Sequence, residues 1–225
     1  MMKVAFKATI PVMTGYLVLA IGFGILLKTN GYGIGWSLAM SGFIYAGSMQ
    51  YLAIDLLCGG ASLLTTALTT LMVNARHLFY GISMVNRYKD TGKKKPYLIF
   101  ALTDETYSLV CSEEHIKGME EPKEYYFWVS LFNQTYWVIG SILGSLLGNM
   151  IPFEVEGIDF ALTALFVTIF VEQWLTTKEH KPALIGIMTS LICLGLFGAD
   201  GFLIPTMCVI VVLLIGQRNK LEIKE

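Results

Sequence analysis

Charge is what this chain has least of. Asp, Glu, Lys and Arg make up 15% of its 225 residues, where soluble domains carry about 25%. That leaves no room for a separate soluble catalytic domain. Neither sign is in surplus, with 16 Lys and Arg against 17 Asp and Glu, so the basic stripe of a nucleic-acid-binding protein is missing. Cysteine is scarce as well. Cys58, Cys111, Cys193 and Cys208 lie far apart with no C-x-x-C pair, which reads as small packing residues and not as a disulfide or metal site. No cofactor is expected. The chain also lacks a G-x-S-x-G elbow and an H-E-x-x-H helix, the two commonest hydrolase signatures.

What the chain does have is apolar length. Hydrophobic residues make up 55% of it, and the mean hydropathy is +0.61. The charges that remain are clustered, at Arg87, Lys89 and Lys93 to Lys95, and again between Glu113 and Glu124. Between such clusters lie eight apolar segments, 9–27, 34–57, 61–85, 97–111, 126–150, 158–176, 183–198 and 202–216. Most suit a hydrocarbon core of about 30 Å, and none alternates as barrel strands would. The expected fold is all-α, a polytopic transmembrane helix bundle of 7–8 segments in one permease domain. The first segment is longer than a signal-peptide core of about 7–15 residues and no convincing small-x-small cleavage site follows it, so it reads as a retained helix.

Segment 97–111 carries Asp104 and Glu105. A carboxylate at a helix centre costs about 2.5–3.5 kcal/mol, and each large apolar residue returns only about 0.3–0.6 kcal/mol. This segment cannot face lipid alone. It is a full crossing or a re-entrant hairpin. Eight full crossings with the N-terminus inside would put the basic 87–95 loop outside, against the positive-inside tendency. A broken or re-entrant segment beside that loop would remove the conflict.

Tyr16–Leu27 resembles Tyr136–Leu147 in sequence, which suggests two internal repeats, over 1–115 and 120–225, of the kind that place a substrate site at mid-membrane. Gly140, Gly144 and Gly148 recur every four residues and form a smooth helix face. Packing within the bundle is the leading reading of that face, and docking to a second membrane protein is the other.

Polar groups inside apolar runs are costly and usually face the protein interior or a pathway. Three clusters qualify. In Tyr45-Ala46-Gly47-Ser48-Met49-Gln50, small residues either loosen the helix, freeing amides for a carboxylate, or pack it closely with Gln50 bonded across helices. In Asn74-Ala75-Arg76-His77, a continuous helix would set Thr66, Thr70, Asn74 and His77 on one stripe. Arg76 on the neighbouring face offers a fork of donors for a carboxylate. In Leu102-Thr103-Asp104-Glu105-Thr106, adjacent acids point about 100° apart, so one can hold an ammonium while the other carries a proton or an ion pair. Structural pairing with Arg76 is the plainer account. Gly47, Ser48, Gln50, Asn74, Arg76, His77, Asp104 and Glu105 are therefore the candidate substrate-binding or ion-coupling residues. Together they could hold a zwitterion with an apolar tail, or merely neutralise one another in a membrane scaffold. A Ser48–His77 intramembrane hydrolase is the least favoured reading.

These clusters resemble the AzlC family of membrane permeases, in Ser41 through Tyr45-Ala46-Gly47-Ser48-x-Gln50, in Asn74-Ala75-Arg76-His77 with Tyr80-Gly81, in Leu102 to Thr106, and in Asp159-Phe160-Ala161-Leu162-Thr163-Ala164. The resemblance runs from about Pro11 to Gly216 and implies export of valine, leucine, isoleucine or analogues, driven by an ion gradient. It also implies a small AzlD-type membrane subunit as partner and a place in the cell's inner membrane. The Gly140, Gly144 and Gly148 face is one place such a partner could dock.

Overall fold

The computed structural model describes residues 1–111, 116, 119, 122–150, 160, 163–164, 167, 170–171, 174–175, 177 and 179–221, without the side chains of Arg76, Leu78, Phe79 and several residues from 199 onward. All regular structure among them is helical. The helices are α1 (Met2–Thr29), α2 (Ile34–Ala39) running into a π-turn (Met40–Ile44), α3 (Gly47–Cys58), α4 (Leu63–Val73), α5 (Arg76–Met84), α6 (Lys95–Phe100), α7 (Asp104–Cys111), α8 (Pro122–Leu147), α9 (Lys181–Gly201) and α10 (Leu203–Leu221). They fall into two compact units, Met1–Leu162 and Thr163–Glu225. Met2–Thr29 and Lys181–Gly198 are long and apolar enough to cross a membrane.

The first unit is built inside out relative to a soluble domain. Thr9, Ser37, Ser41, Gln50, Thr106, Ser130, Asn133, Ser141 and Ser145 are all fully buried, whereas Val18, Phe43, Leu63, Leu64 and Ile82 stand exposed. An outer surface this apolar suits lipid, not water.

Its spine is the pair α1 and α8, which run parallel. Phe6 packs on Phe132, Thr9 bonds Tyr136, and Ala20, Ile21 and Lys28 meet Gly140, Gly144 and Gly148 in turn. A Cβ at Gly144 would lie 2.1 Å from the Ile21 carbonyl oxygen, and one at Gly24 would lie 2.1 Å from that of Ser141. The glycine stripe is therefore filled by the chain's own first helix. This corrects its assignment as a partner-docking face, because backbones this close leave no surface for a second protein.

Two hairpins hang on this spine from opposite ends. The first starts at the C-terminal end of α1, descends through α2 and the π-turn, and brings Tyr45 to the level of Tyr16. It then climbs back along α3, where the Tyr51 hydroxyl donates to the Leu19 carbonyl (2.7 Å) and Cys58 donates to Asn30 Oδ1 (3.4 Å). A ring of hydrogen bonds ties it to α8: Gln50 Nε2 to Ser41 Oγ (3.1 Å), Ser41 to Ser141 Oγ (2.8 Å), Ser141 to the Trp137 carbonyl (2.8 Å), and Trp137 Nε1 to Gln50 Oε1 (2.9 Å). A Gln50→Leu substitution should strand the Ser41 and Trp137 partners at a cost of about 1–3 kcal/mol each. A melting curve in detergent should show a clear drop in Tm, and an unchanged Tm would mean the ring contributes nothing.

The second hairpin hangs from the other end. It begins where Lys94 pairs with Glu124 and sits over the Phe127 ring. Through α6 it reaches Gln134, which accepts from the Tyr97 hydroxyl (2.8 Å). Through α7 it returns, so that Arg87 Nη1 donates to the Val110 carbonyl (3.2 Å) and Cys111 meets Met84 (3.6 Å). Ala5, Met84, Tyr88, Tyr125 and Tyr126 share one buried cluster at this end. Burial there, with Cys111 and Tyr126 close by, pushes the Tyr88 phenol well up from its usual range, so it stays neutral. Eight successive crossings would place the N-terminus and the 87–95 loop at opposite ends. The structure puts them at the same end, because the first hairpin returns to where it began.

In the second unit, α9 is interrupted at Gly198 (φ 72°, ψ 176°), a conformation open to glycine. A cavity of about 620 Å³ is lined there by Phe170, Trp174, His180, Ile187 and Leu191 among others. Most of segment 158–176, Asp159 included, lies outside the described residues.

Candidate functional site

Each of the three polar clusters marks a helix break. At the first, the π-turn closes with the Tyr45 N–H donating to the Met40 carbonyl (3.0 Å). Tyr45 then takes a left-handed backbone (φ 47°, ψ 47°), which costs an L-residue roughly 1–2 kcal/mol. Such strain persists where the surroundings impose it, often at functional positions. Gln134 Nε2 donates to the Gly42 carbonyl beside the break (3.1 Å). Gly47 then opens α3, and only glycine fits, since a Cβ would lie 2.9 Å from the Trp137 ring. The helix loosens here, and α3 starts anew at Gly47, with the positive end of its dipole at the break.

The third cluster breaks segment 97–111 between Phe100 and Asp104. Thr103 Oγ1 accepts from the Thr106 N–H (3.3 Å) and so caps α7. That puts Asp104 and Glu105 in its first turn, where the helix dipole favours negative charge. Glu105 Oε2 accepts from the Tyr16 hydroxyl (2.6 Å), which also lies 2.7 Å from Thr103 Oγ1. Thr106 Oγ1 accepts from Asn133 Nδ2 (3.0 Å). Asn133 is fully buried, and its Oδ1 has no partner among the described residues. The two breaks meet here. Tyr45 faces Glu105, Tyr16 and Thr103, and its ring lies 6.3 Å from that of Phe100.

The second cluster interrupts its helix at Asn74-Ala75. The His77 N–H bonds the Asn74 carbonyl (2.9 Å), three residues back, not four. The expected Thr66–Thr70–Asn74–His77 stripe is therefore broken before His77. His77 contacts Tyr80 edge-on at 6.0 Å, and Tyr80 stacks on Tyr107 of α7 at 4.7 Å. In this way the second cluster reaches the same short helix. The Arg76 side chain lies outside the described residues. Ser48, His77 and Asp104 are each engaged by other groups.

The site thus gathers a helix N-terminus for an anion, two acids for a cation, and aromatic rings at Tyr45, Phe100 and Trp137. Gln50 sits apart in purpose, since both ends of its amide are already bonded, to Ser41 of the first hairpin and to Trp137 of α8. Sequence reasoning passed over Tyr16, Trp137 and Asn133. Asn133 and Gln134 could have been found, as adjacent amides inside the apolar run 126–150. Tyr16 offered no signal, being an ordinary aromatic in an apolar helix.

A family model described as AzlC protein matches residues 11–151. A Bacillus subtilis relative named branched-chain amino acid transport protein AzlC is 43% identical over 218 residues, covering 97% of this chain and 85% of its own length. An uncharacterized membrane protein of Helicobacter pylori is 42% identical over 98% of this chain and 96% of its own. The inner membrane protein YgaZ of Escherichia coli is 25% identical over 88% of this chain and 81% of its own. No solved structure matches the chain.

Proposed function

The chain belongs to the AzlC protein family, and from that premise we propose that it exports valine, leucine, isoleucine or a similar small hydrophobic amino acid by ion-coupled alternating access. The observation that carries this reading is the meeting of two interrupted helices beside the Tyr16–Glu105 hydrogen bond (2.6 Å). Interrupted helices with freed backbone are how many secondary transporters hold a zwitterion near mid-membrane. The positive end of α3, which starts at Gly47, takes the carboxylate, Asp104 takes the ammonium, and Tyr45, Phe100 and Trp137 border the aliphatic tail. Glu105 carries the coupling proton. Arg76 and His77, at the start of α5, supply the positive charge that balances the acids.

The protein is a multi-pass component of the cell's inner membrane in this reading, with a small AzlD-type subunit as partner. Tyr16–Leu27 and Tyr136–Leu147 lie on helices that run parallel, so the duplication they suggest would be a parallel one, not an inverted one.

The test is efflux of labelled valine from dipeptide-loaded cells that lack their own exporters. Empty vector, this chain alone, this chain with its candidate small partner, and Asp104→Asn at matched expression are compared. Faster efflux that disappears in Asp104→Asn is the expected result. Efflux equal to the empty vector in every well-expressed sample, for valine, leucine and isoleucine alike, would refute the substrate assignment.

A further inference from the structure

We propose that residues 34–58 and 95–111 are re-entrant hairpins that enter the membrane from opposite faces and close against Tyr16 as the outer and inner gates of the pathway. The word gate rests on the transport reading; the topology does not.

The argument begins with length. Ile34–Ile44 and Gly47–Cys58 would each span about 17 Å at roughly 1.5 Å per residue, about half of a hydrocarbon core of roughly 30 Å. Lys95–Phe100 and Asp104–Cys111 are shorter still. None of these four pieces can cross alone. The contacts then give direction. The first hairpin leaves and rejoins the C-terminal end of α1, where Cys58 meets Asn30. The second leaves and rejoins the N-terminal end of α8, where Lys94 meets Glu124 and Arg87 meets the Val110 carbonyl.

Parity gives an independent check. Because α1 and α8 run parallel, the chain between them must make an odd number of net crossings. If both hairpins re-enter, only Leu63–Met84 remains, at about 33 Å long enough for one crossing. That count is odd, as it would be with neither hairpin re-entering. Had a single hairpin re-entered, two crossings would remain and the long helices would be antiparallel. Parity thus excludes the mixed case, and the end contacts decide between the other two.

Charge gives a third. On this path Lys3, Lys7, Arg87, Lys89, Lys93, Lys94, Lys95 and Lys123 share one end of the first unit, while Lys28 sits at the other. The basic end is the cytoplasmic one by the positive-inside tendency, and the conflict over the 87–95 loop disappears. Broken backbone at mid-depth is tolerable only when buried in protein. Both tips meet that condition through Tyr45, Ala101 and Leu102, all buried.

The tips converge on one fixed side chain. Tyr16, on the spine helix α1, holds Glu105 and Thr103 of the lower tip and faces Tyr45 of the upper one. Moving either tip away from Tyr16 opens the junction toward one face alone, which is what alternating access requires.

Single cysteines in a background freed of Cys58, Cys111, Cys193 and Cys208 test the topology with a membrane-impermeant maleimide. Thr29→Cys and Ala61→Cys flank the first hairpin, and Lys89→Cys and Lys123→Cys flank the second. The first pair should label in intact cells, the second only after permeabilisation. Finding the members of either pair on opposite sides would overturn the re-entrant assignment, whether or not the protein transports anything. For the gate, Ala46→Cys and Ala101→Cys, beside the two tips and outside the proposed lining, are joined by a short dithiol-reactive crosslinker that reductant removes. Efflux should fall at least tenfold on crosslinking and return on reduction. Full efflux from crosslinked protein would overturn the gate while leaving the topology to the labelling result.

Discussion

Replacing Gly144 with valine is expected to leave no folded protein in the membrane. A single Cβ there would sit 2.1 Å from the Ile21 carbonyl oxygen and 2.8 Å from the Ile21 Cα. Both contacts are to backbone, so no side chain can swing away. The helices cannot simply part, since Gly24 meets Ser141 and Gly140 meets Ala20 along the same seam. Ordinary overpacking costs about 1–3 kcal/mol because side chains relax. Here the whole α1–α8 interface would have to open, at a cost above that range and comparable with the roughly 5–15 kcal/mol that holds a typical domain together. Both hairpins are anchored on that seam and would go with it. Gly15→Val is the matched control, because nothing lies within 4 Å of a Cβ built at Gly15. Detergent extraction followed by size-exclusion chromatography should give a normal peak for Gly15→Val and aggregate or no protein for Gly144→Val. A monodisperse Gly144→Val peak at wild-type yield would show that the helices do not pack this closely.

The second large effect falls on transport without touching the fold. Glu105→Gln keeps the shape of the side chain and an oxygen that can accept from the Tyr16 hydroxyl, so the lower tip should stay in place. What it removes is the charge and the proton-binding oxygen. Hydrogen bonds to charged groups contribute about 1.5–3 kcal/mol against about 0.5–1.5 for neutral ones, and each 1.4 kcal/mol is about tenfold in an equilibrium. Efflux should fall at least tenfold, because the side chain can no longer carry a proton, at unchanged expression and with at most a small drop in Tm. Tyr16→Phe removes the donor but leaves the ring against Trp137, where the centroids are 5.4 Å apart. Its efflux should fall by a smaller factor. Wild-type efflux from Glu105→Gln would make Glu105 a purely structural partner of Tyr16 and move the proton-carrying role elsewhere.

Much of the site was legible from the chain alone, because each polar cluster announced itself by its cost. Asp104 and Glu105 cannot be offset by the apolar residues of segment 97–111, so some device had to shelter them. The structure shows two: a capped helix start and the Tyr16 hydroxyl. Tyr45-Ala46-Gly47 likewise hinted at a loosened helix by its run of small residues. The hint did not reveal that Tyr45, not a glycine, takes the left-handed backbone. The side chain it places there meets Phe100 and Glu105, more than fifty residues away. Asn74-Ala75 was read as continuous helix because neither residue breaks one, and only the observed His77-to-Asn74 bond exposes the kink.

Hydropathy, clustering of charge and spacing of small residues are properties of neighbouring positions, and through them the sequence by itself determined the membrane class, the helical character and the places where polar groups had to be sheltered. Which residues shelter them was decided by the tertiary structure. A four-residue glycine repeat predicts that some backbone comes close; whether it is α1 or another protein depends on shapes that meet across about a hundred residues. An apolar segment of half-crossing length looks the same whether it continues or turns back. Only the contacts at its two ends, Cys58 with Asn30 and Val110 with Arg87, say that it returns.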